Sequence, residues 1–460
     1  MAQLFYDGET KIRPGTYYRY TSDVTRETGA LNGVNAVVIN APWGPVDKVT
    51  AHSSAKSVTE TYGAGDGVDC ATLLFDAGAE TVYVCRPAGT GGAVGSGTLG
   101  PINITAKYPG ARALTVKVQE KLADNTLKQV LILEGNKQLE VFEFAVSETD
   151  ETAAFVAAMA DSKYVTAEAT ATGVIDAQEM TLTGGANATL TAENYLEGFQ
   201  ALEPHRYNVL STDSVDPAVM ALLQNYVAAS EETGKLAIAV IGAPTTTSLE
   251  DRMAAAKAAN DKKIIYFGSA YITADGTEIN GSKAVCYTAG LVAATPANKS
   301  IVHSVISGAV DIPEKLTNAQ YIEAIKNGLL LLSIGPDNQI WYDSGINTLV
   351  APTETEDDGW KKIKRTRIRF ELFDRIDRAV APLVGKINCD SDGIAAVLQQ
   401  GQGVIADMIA EGKLRSGGSI IEDPDNPYSG DSAWFLIQVD DIDSLEKLYF
   451  HYRFRYSANV

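Results

Sequence analysis

Residues 206–268 read RYNVLSTDSVDPAVMALLQNYVAASEETGKLAIAVIGAPTTTSLEDRMAAAKAANDKKIIYFG, a series in which short apolar runs alternate with longer amphipathic ones. Asp216 and Pro217 fit the N-cap and the first position of a helix, and Ser248 with Asp251 fits a capping box. Continuous apolar strands separated by helices are typical of a parallel sheet that is covered on both faces. The stretch therefore predicts an α/β core.

The same alternation occurs earlier, in residues 34–86, where NAVVINAPW and TVYVCR read as strands and CATLLFDAGA as a helix. Residues 101–192 differ, because they hold period-2 segments such as ALTVKVQEKL and LEVFEFAVS and one helix candidate, ETAAFVAAMADS. Between the two patterns lies GTGGAVGSGTLGP, residues 89–101, whose glycine content predicts a flexible joint. We therefore expect a β-rich domain that interrupts a single α/β core.

The predicted fold class is α/β (mixed α+β overall). It comprises an α/β core sheet with helices on both faces, an inserted β-rich domain, a C-terminal α+β domain, and extended N- and C-terminal strand arms. The expected boundaries are residues 1–22 for the N-terminal arm, 23–90 and 193–358 for the two parts of the core, 91–192 for the insert, 359–445 for the C-terminal domain, and 446–460 for the C-terminal arm.

Both chain ends carry aromatic patterns that are typical of strands. In LYFHYRFRY, residues 448–456, alternate side chains would face the same way in an extended chain, and TYYRYT, residues 16–21, follows a Pro-Gly turn. Chain ends are usually frayed and polar unless something holds them. We therefore expect two buried linking strands, formed by Thr16, Tyr17, Tyr18, Arg19 and Tyr20 at one end and by Leu448, Phe450, Tyr452, Phe454 and Tyr456 at the other.

Composition limits the class of protein. The formal net charge is −20, which disfavours duplex DNA or an anionic membrane as a partner, because such binding needs clustered Lys and Arg. The sequence lacks an N-terminal apolar segment and any run of about 18 apolar residues, so we expect a soluble protein made without a signal peptide. The cysteines show no CxxC spacing and read as free thiols in a reducing compartment; they are Cys70, Cys85, Cys286 and Cys389.

Two motifs resemble chemical sites, and each has a simpler interpretation. Gly95, Gly97 and Gly100 match GxGxxG, but Pro101 and the strand-like INITAKY follow where a dinucleotide site needs a helix. No GxxxxGK[ST] phosphate loop occurs. Residues 388–393, NCDSDG, resemble half a calcium loop, although the twelfth position, Gln399, cannot supply the carboxylate.

The simpler interpretation of NCDSDG is a helix cap formed by Asp390, Ser391 or Asp392. Each lone histidine reads as a structural or surface residue, because none lies in HExxH or beside a G-x-S-x-G elbow; they are His52, His205, His303 and His451. We therefore assign no catalytic, cofactor-binding or metal-binding residue and no cofactor.

Charge is unevenly distributed near the C-terminus. A basic run comprises Lys361, Lys362, Lys364, Arg365, Arg367 and Arg369, whereas residues 416–446 hold eight acids and no Lys or Arg. Such runs are commonly solvated faces. The sharper hypothesis is an electrostatic interface between copies of the chain or with another acidic partner, since opposed patches steer and register an assembly.

Several segments, in the same order, resemble the bacteriophage contractile tail sheath proteins. Near the N-terminus these are RPGTYYRYTS, NAVVINAPWGPVDKVT, TYG and LLFDAGAETVYVCRPAG. Later ones are the segment from AGLVAATPANKS to AIKNGLLLL, then DSGINTL, GKIN and LEKLYFHYRF. YPGARALTVKVQ and LEVFEFAVS resemble the β-rich domain that larger sheath proteins carry on their outer surface. The resemblance spans nearly the whole chain.

The resemblance implies a structural subunit and no enzyme. Sheath proteins stack as six-fold rings around a tail tube, exchange terminal strands with neighbours, and contract to drive the tube through the host envelope. The implied partners are other copies of the chain, the tail tube protein, and the baseplate and tail terminator proteins, without direct nucleic acid contact or membrane insertion. The implied location is the virion tail, assembled in the host bacterial cytoplasm.

The resemblance also implies a sheet that receives the arms, which we assign to Trp434, Phe435, Leu436, Ile437 and Val439. Two other hypotheses stay open. The chain could be a cytosolic α/β enzyme or ligand-binding protein that uses the parallel sheet of residues 207–267, with polar groups at the carboxyl ends of the strands. It could also be another self-assembling structural protein, such as a surface-layer component.

Overall fold

The computed structural model describes residues 3–4, 17–18 and 32–455. The chain divides into a unit of residues 1–30 and a unit of residues 31–460. In the first unit, β1 (Gln3–Leu4) pairs in parallel with β2 (Tyr17–Tyr18). The other predicted residues of this arm, Thr16, Arg19 and Tyr20, lie outside the described residues.

The second unit begins with the first part of the α/β core. Its elements are β3 (Val34–Val38), β4 (Val49–His52), α1 (Ala55–Tyr62), α2 (Asp66–Asp76) and β5 (Thr81–Cys85). The insert follows with β6 (Ser96–Leu99), β7 (Ile102–Ala106), β8 (Thr115–Glu120), β9 (Leu127–Glu134), β10 (Lys137–Ala145), α3 (Thr152–Met159), β11 (Val165–Ala169) and β12 (Gln178–Thr181).

The second part of the core then resumes. It comprises α4 (Ala192–Ala201), β13 (Val209–Thr212), α5 (Pro217–Glu232), β14 (Ile238–Gly242), α6 (Leu249–Ala259), β15 (Ile264–Phe267), β16 (Tyr271–Thr273), β17 (Glu278–Ile279), α7 (Ser282–Ala294), β18 (Ala309–Asp311), α8 (Asn318–Lys326), β19 (Leu329–Leu330), β20 (Leu332–Ile334) and β21 (Ile340–Tyr342). The C-terminal domain consists of a 3-10 turn (Asp358–Lys361), α9 (Ile363–Val380), a second 3-10 turn (Ala381–Leu383), α10 (Ser391–Ala410), β22 (Ser419–Glu422) and β23 (Phe435–Gln438).

The predicted parallel sheet is confirmed. Seven strands lie in the order β19-β15-β14-β13-β3-β5-β4, and every neighbouring pair is parallel except β4 with β5. Successive side chains of β3 enter opposite cores: Val37 joins the one covered by α1, α2 and α7, and Val38 the one covered by α4, α5, α6 and α8. All residues of β13, β14 and β15 are buried, which explains the uninterrupted apolar character of β14 and β15.

Helix starts follow the predicted caps. The Asp216 carboxylate accepts a hydrogen bond from Ala218 N at 2.8 Å, with Pro217 at the first helical position. Ser248 Oγ accepts from Asp251 N at 3.1 Å. Asp390 accepts from Gly393 N at 3.0 Å, so NCDSDG caps α10 as expected. Each such cap stabilises its helix by about 1 kcal/mol.

The insert is a β-sandwich of two antiparallel sheets, ordered β10-β9-β8-β12 and β11-β7-β6. Its core includes Ile104, Ile132 and Phe155, the last from α3. Lys128 and Glu151 form a buried ion pair at 2.9 Å. Lys128 also donates to Ile175 O, and Glu151 accepts from Ile175 N, so the buried charges are hydrogen-bonded.

The prediction of a flexible joint at residues 89–101 is wrong. This segment pairs antiparallel with the chain that returns to the core, through Thr90 with Thr189, Ala93 with Ala186 and Ser96 with Thr183, and it continues into β6. The two crossings between core and insert lie side by side, so each satisfies the backbone groups of the other. Glycine here permits close packing of backbones rather than mobility.

Two arginines join the insert to the core. Arg86, which follows β5, is 2% exposed and donates to Gly44 O at 2.7 Å and to Pro109 O at 2.8 Å. Arg112 forms a two-point ion pair with Glu134 at 2.8 and 2.9 Å and also donates to Glu60 O. Its guanidinium lies 5.9 Å from the Trp43 ring and 5.1 Å from the Tyr164 ring. The sandwich is therefore held at a defined position on the core.

Replacing Arg112 with Met should loosen this junction, because it removes the cation and leaves Glu134 without its partner. We expect a loss of about 1–3 kcal/mol in the free energy of unfolding and faster amide hydrogen exchange at the paired residues 90–96 and 183–189. Lys121→Met is the matched control, since its pair with Glu143 is exposed and is worth about 0–1 kcal/mol. Equal effects of the two substitutions would contradict a special role for Arg112.

Candidate functional site

The C-terminal stretch is exposed up to the last described residue. Leu448 is 63% exposed and Phe454 is 92% exposed, and residues 447–455 have no ladder partner among the described residues. The rings of Phe450 and Tyr452 stack at 6.3 Å and those of Tyr452 and Phe454 at 6.4 Å, as expected for alternate residues on one side of an extended chain. Tyr456 lies outside the described residues.

Residues 448–455 therefore form no strand with the rest of the described chain, because a strand needs a neighbour to hydrogen-bond. Large aromatic side chains normally contribute most when they are buried. A row of exposed ones marks a contact surface or an aggregation hazard. The arm has the side-chain pattern of a strand and lacks a partner among residues 32–455.

The residues assigned to the receiving sheet lie at β23. Phe435, Leu436 and Ile437 belong to this strand, whereas Trp434 and Val439 flank it. β23 pairs antiparallel with β22, and the two form a two-stranded sheet. The side chains of Ile420, Phe435 and Ile437 pack against α9 and α10. Those of Trp434 and Leu436, on the other face of the sheet, are about 40% exposed.

Both outer edges of this sheet are unpaired among the described residues. Asp423 N donates to Trp434 O, which sets the hydrogen-bonded pairs of the ladder at alternate positions. The N–H groups of Phe435 and Ile437 consequently point away from β22, towards the open edge. A further strand could hydrogen-bond there.

The basic run lies in and just before α9, close to acids at the end of the C-terminal domain. One helical face carries Lys362, Arg365 and Arg369, spaced three and four residues apart. Arg365 Nε and Arg369 Nε both donate to Asp441, at 2.9 and 3.0 Å. Within the subunit these cations thus pair with acids of the same chain, and their role in an interface stays a hypothesis.

The remaining basic residues are also engaged. Lys362 pairs with Glu446, and Lys364 donates to Ser444 Oγ at 3.1 Å. Lys361 pairs with Asp358 at 2.8 Å on the surface. Arg367 points the other way, donating to Ala293 O and Thr295 O at the end of α7, where helix carbonyls lack intrahelical partners.

We call the set of Lys362, Lys364, Arg365, Arg369, Asp441, Ser444 and Glu446 the arm-base cluster, since it lies where the C-terminal arm leaves the domain. Burial alone would raise the pKa of the Asp441 carboxyl, but hydrogen bonds from Arg365 and Arg369 outweigh burial and lower that pKa. The Asp441 bonds raise the pKa of Arg365 in turn. Asp441 is therefore ionised and doubly bonded at neutral pH.

The hypothesis of an α/β enzyme predicts a polar pocket at the carboxyl ends of the strands. At the junction of β3 and β13 that position is occupied by Asp213, which accepts from Asn40 N and from the Tyr195 hydroxyl, each at 2.7 Å. A Cβ at Gly67 would lie 2.4 Å from Asp213 Oδ2, so the chain packs tightly there. Sequence reasoning missed this group, because its partners lie on three separate segments.

A cavity of about 680 Å³ lies instead at the amino ends of β13 and β14, beside α9. Asn208, Ile238, Phe370 and Asp374 line it. This is the opposite end of the strands from the one that α/β enzymes use for ligands. Within the part of the chain that the structure describes, no group of three or more His, Cys, Asp or Glu residues is arranged to hold a metal ion, and no helix has the length and apolar character needed to cross a bilayer.

Two family models match the chain: the phage tail sheath protein beta-sandwich domain over residues 89–190, and the phage tail sheath protein central domain over residues 188–348. The chain belongs to the contractile phage tail sheath family. The uncharacterized protein YqbK of Bacillus subtilis (strain 168) is 23% identical over 490 residues, which cover 97% of this chain and 98% of YqbK.

Solved structures share the fold. The crystal structure of the sheath tail protein from Desulfitobacterium hafniense has a TM-score of 0.72 at 19% identity, covering 93% of this chain and all of that chain. The helical sheath of the anti-feeding prophage (AFP) in its contracted state has a TM-score of 0.55 at 12% identity, covering 97% of this chain and 99% of that chain. The mixed α+β fold expected from the sequence is thus confirmed.

Burial raises the pKa of Asp213 to about 6 from an ordinary 3.8. The stability that follows from this shift is fully present below about pH 3.8 and is lost as the pH rises through about 6. Asp213→Asn should remove this pH-dependent part of the stability, because an amide does not titrate. The amide can still accept from Asn40 N and donate to the Tyr195 hydroxyl. Urea unfolding across this pH range should therefore show that wild type loses stability relative to the variant as the pH rises.

Asp216→Asn is the control, since it removes a neighbouring exposed carboxylate at a cap where Asn serves equally well. A constant difference in stability between wild type and Asp213→Asn at every pH would contradict the assigned burial of this carboxyl.

Proposed function

We propose that this protein is the repeating subunit of a contractile phage tail sheath. In this proposal the subunits form stacked six-fold rings around a tail tube and join through exchanged β-strands. The observation that carries the proposal is the exposed aromatic arm, residues 448–454, together with the open edge of β23 in the same chain. The family of the chain makes a structural role the expected one.

The joining step is β-augmentation, in which an extended segment adds to a sheet edge. The outward N–H groups of Phe435 and Ile437 would bind carbonyl groups of a neighbour's arm. Exposed side chains on one side of the arm, Phe450, Tyr452 and Phe454, would pack against that neighbour and set the register. The N-terminal arm, with Tyr17 and Tyr18 in β2, is proposed as the second linking strand.

Donor and acceptor are different surfaces of one chain, so the contact is heterologous and propagates as a helix or closes as a ring. A sheath built in this way keeps its subunits tied while the folded bodies rotate against one another. The bodies would then pass from a metastable extended packing to a shorter one that drives the tube through the cell envelope. The tube, baseplate and tail terminator proteins are the proposed partners.

Negative-stain electron microscopy of the purified protein tests the proposal. Hollow tubes with a fixed helical repeat are expected. Discrete globular particles at every concentration would instead favour the α/β enzyme or ligand-binding hypothesis.

Truncating the three rings of the arm separates assembly from folding. Phe450→Ala/Tyr452→Ala/Phe454→Ala should abolish tubes and leave the unfolding midpoint unchanged, because these side chains are exposed within their own subunit. Leu122→Ala is the control, since Leu122 is a large exposed apolar residue that lies in the insert. Deleting residues 447–460 should act like the triple variant. A loss of cooperative unfolding on deletion would show that the strand belongs to its own core.

Cysteine cross-linking tests which strand receives the arm. In a Cys389→Ser background, which removes the one thiol that is not buried, Leu436→Cys is combined in turn with cysteine at positions 448 to 455. Tubes should yield disulfide-linked oligomers at alternate arm positions, because side chains of a strand alternate between faces. Cross-linking without alternation, or none in intact tubes, would exclude β23 as the receiving strand.

A further inference from the structure

We infer that the arm-base cluster fixes the start of the C-terminal arm to its own subunit and confines movement of the arm to the residues around Lys447. The inference rests on the proposed function for the role of the arm, but the attachment itself is a property of the single chain. It concerns residues 440–446, which lie between the last strand of the domain and the exposed aromatic row.

Backbone bonds hold one side of this segment. Arg415 N donates to Asp440 O at 2.8 Å, and Ile442 N donates to Lys413 O at 3.0 Å. Asp441 forms a bridge with Leu414 between these two bonds. The segment is therefore a short extension of the domain rather than a free tail.

Ion pairs with α9 hold the other side. The Asp441 side chain is 7% exposed and receives both Arg365 and Arg369. Arg369 is itself fixed, since it also pairs with Asp357 at 2.9 Å and lies 4.4 Å from the Trp360 ring. Arg365 has no other acidic partner among the described residues, so without Asp441 it would be partly buried and unpaired, which is costly. The attachment is therefore strong for so short a segment.

The attachment ends abruptly. Glu446, with an 18% exposed side chain, pairs with Lys362 and accepts from Ser300 Oγ at 3.4 Å. Leu448, two residues later, is 63% exposed, and Tyr449 is 89% exposed. Among residues 32–455, the last hydrogen bonds that this end of the chain makes to the domain are those of Glu446.

This boundary locates the pivot of the arm. If residues from 448 onward pair with a neighbour and residues up to 446 stay with their own domain, any rotation between the two subunits changes backbone angles at and next to Lys447. The basic run thus serves the linkage indirectly: it acts on the arm of its own chain rather than on the surface of another.

Distance measurements between paired spin labels on the unassembled subunit test the inference. In the Cys389→Ser background, one label is placed at Gln400→Cys on α10 and the second at either Lys447→Cys or Tyr452→Cys. The 400–447 distance distribution should be narrow and the 400–452 distribution broad. Asp441→Asn should broaden the first, whereas Asp425→Asn, an exposed acid of the same acidic segment, should leave it narrow.

Exchanging the charges of Lys362 and Glu446 distinguishes the loss of this ion pair from misfolding of a variant. Lys362→Glu alone should broaden the 400–447 distribution, and adding Glu446→Lys should restore it. A distribution that is already broad in wild type, or one that neither Asp441→Asn nor Lys362→Glu changes, would overturn the inference. Tubes that form normally alongside such a result would leave the sheath function intact, whereas a responsive cluster without tubes would overturn only the function.

Discussion

The pairing of β3 with β13 is the constraint on which the rest of the structure depends. Four residue pairs, from Val209 with Asn35 to Thr212 with Val38, join strands that the whole insert separates in sequence. Because these strands are neighbours, the chain must leave the core after β5 and return before α4 at nearly the same place. The two crossings therefore run together, and their mutual hydrogen bonds turn a glycine-rich connection into an ordered one. Arg86 and Arg112 complete the attachment.

Features that depend on a few neighbouring residues could be predicted from the sequence. The caps at Asp216, Ser248 and Asp390 each involve residues two or three positions apart, and the buried strands β14 and β15 are uninterrupted apolar runs. Features that depend on distant partners could not. Arg365 and Asp441 are far apart in the chain, so the sequence displayed an excess of each sign without showing that the two neutralise each other. The glycine-rich segment was misread for the same reason, since its composition carries no sign of the returning chain.

Helix α9 links the α/β core to the base of the C-terminal arm. Its periodicity places Lys362, Arg365 and Arg369 on the face that holds the arm base, and sends Arg367 to the end of α7 in the core. Burial lowers the pKa of Arg367 to about 10, yet the group is still charged at neutral pH, and it donates to two carbonyls. One rigid helix consequently contacts both the core and the origin of the arm. A force applied to the arm base would reach the core through α9 rather than through a flexible loop.

In the proposed assembly, the free-energy cost of ordering the arm nearly equals the free energy gained when the arm pairs with one neighbour. Ordering residues 447–455 would cost about 9–18 kcal/mol, at about 1–2 kcal/mol for each residue. Burying the five large side chains from Leu448 to Phe454 would return about 8–15 kcal/mol. An isolated arm therefore gains little by binding one neighbour, and pairing becomes favourable when the bodies of the subunits are also in contact. A strand with this balance joins subunits inside a lattice and leaves dilute subunits separate, which limits the hazard of an exposed edge.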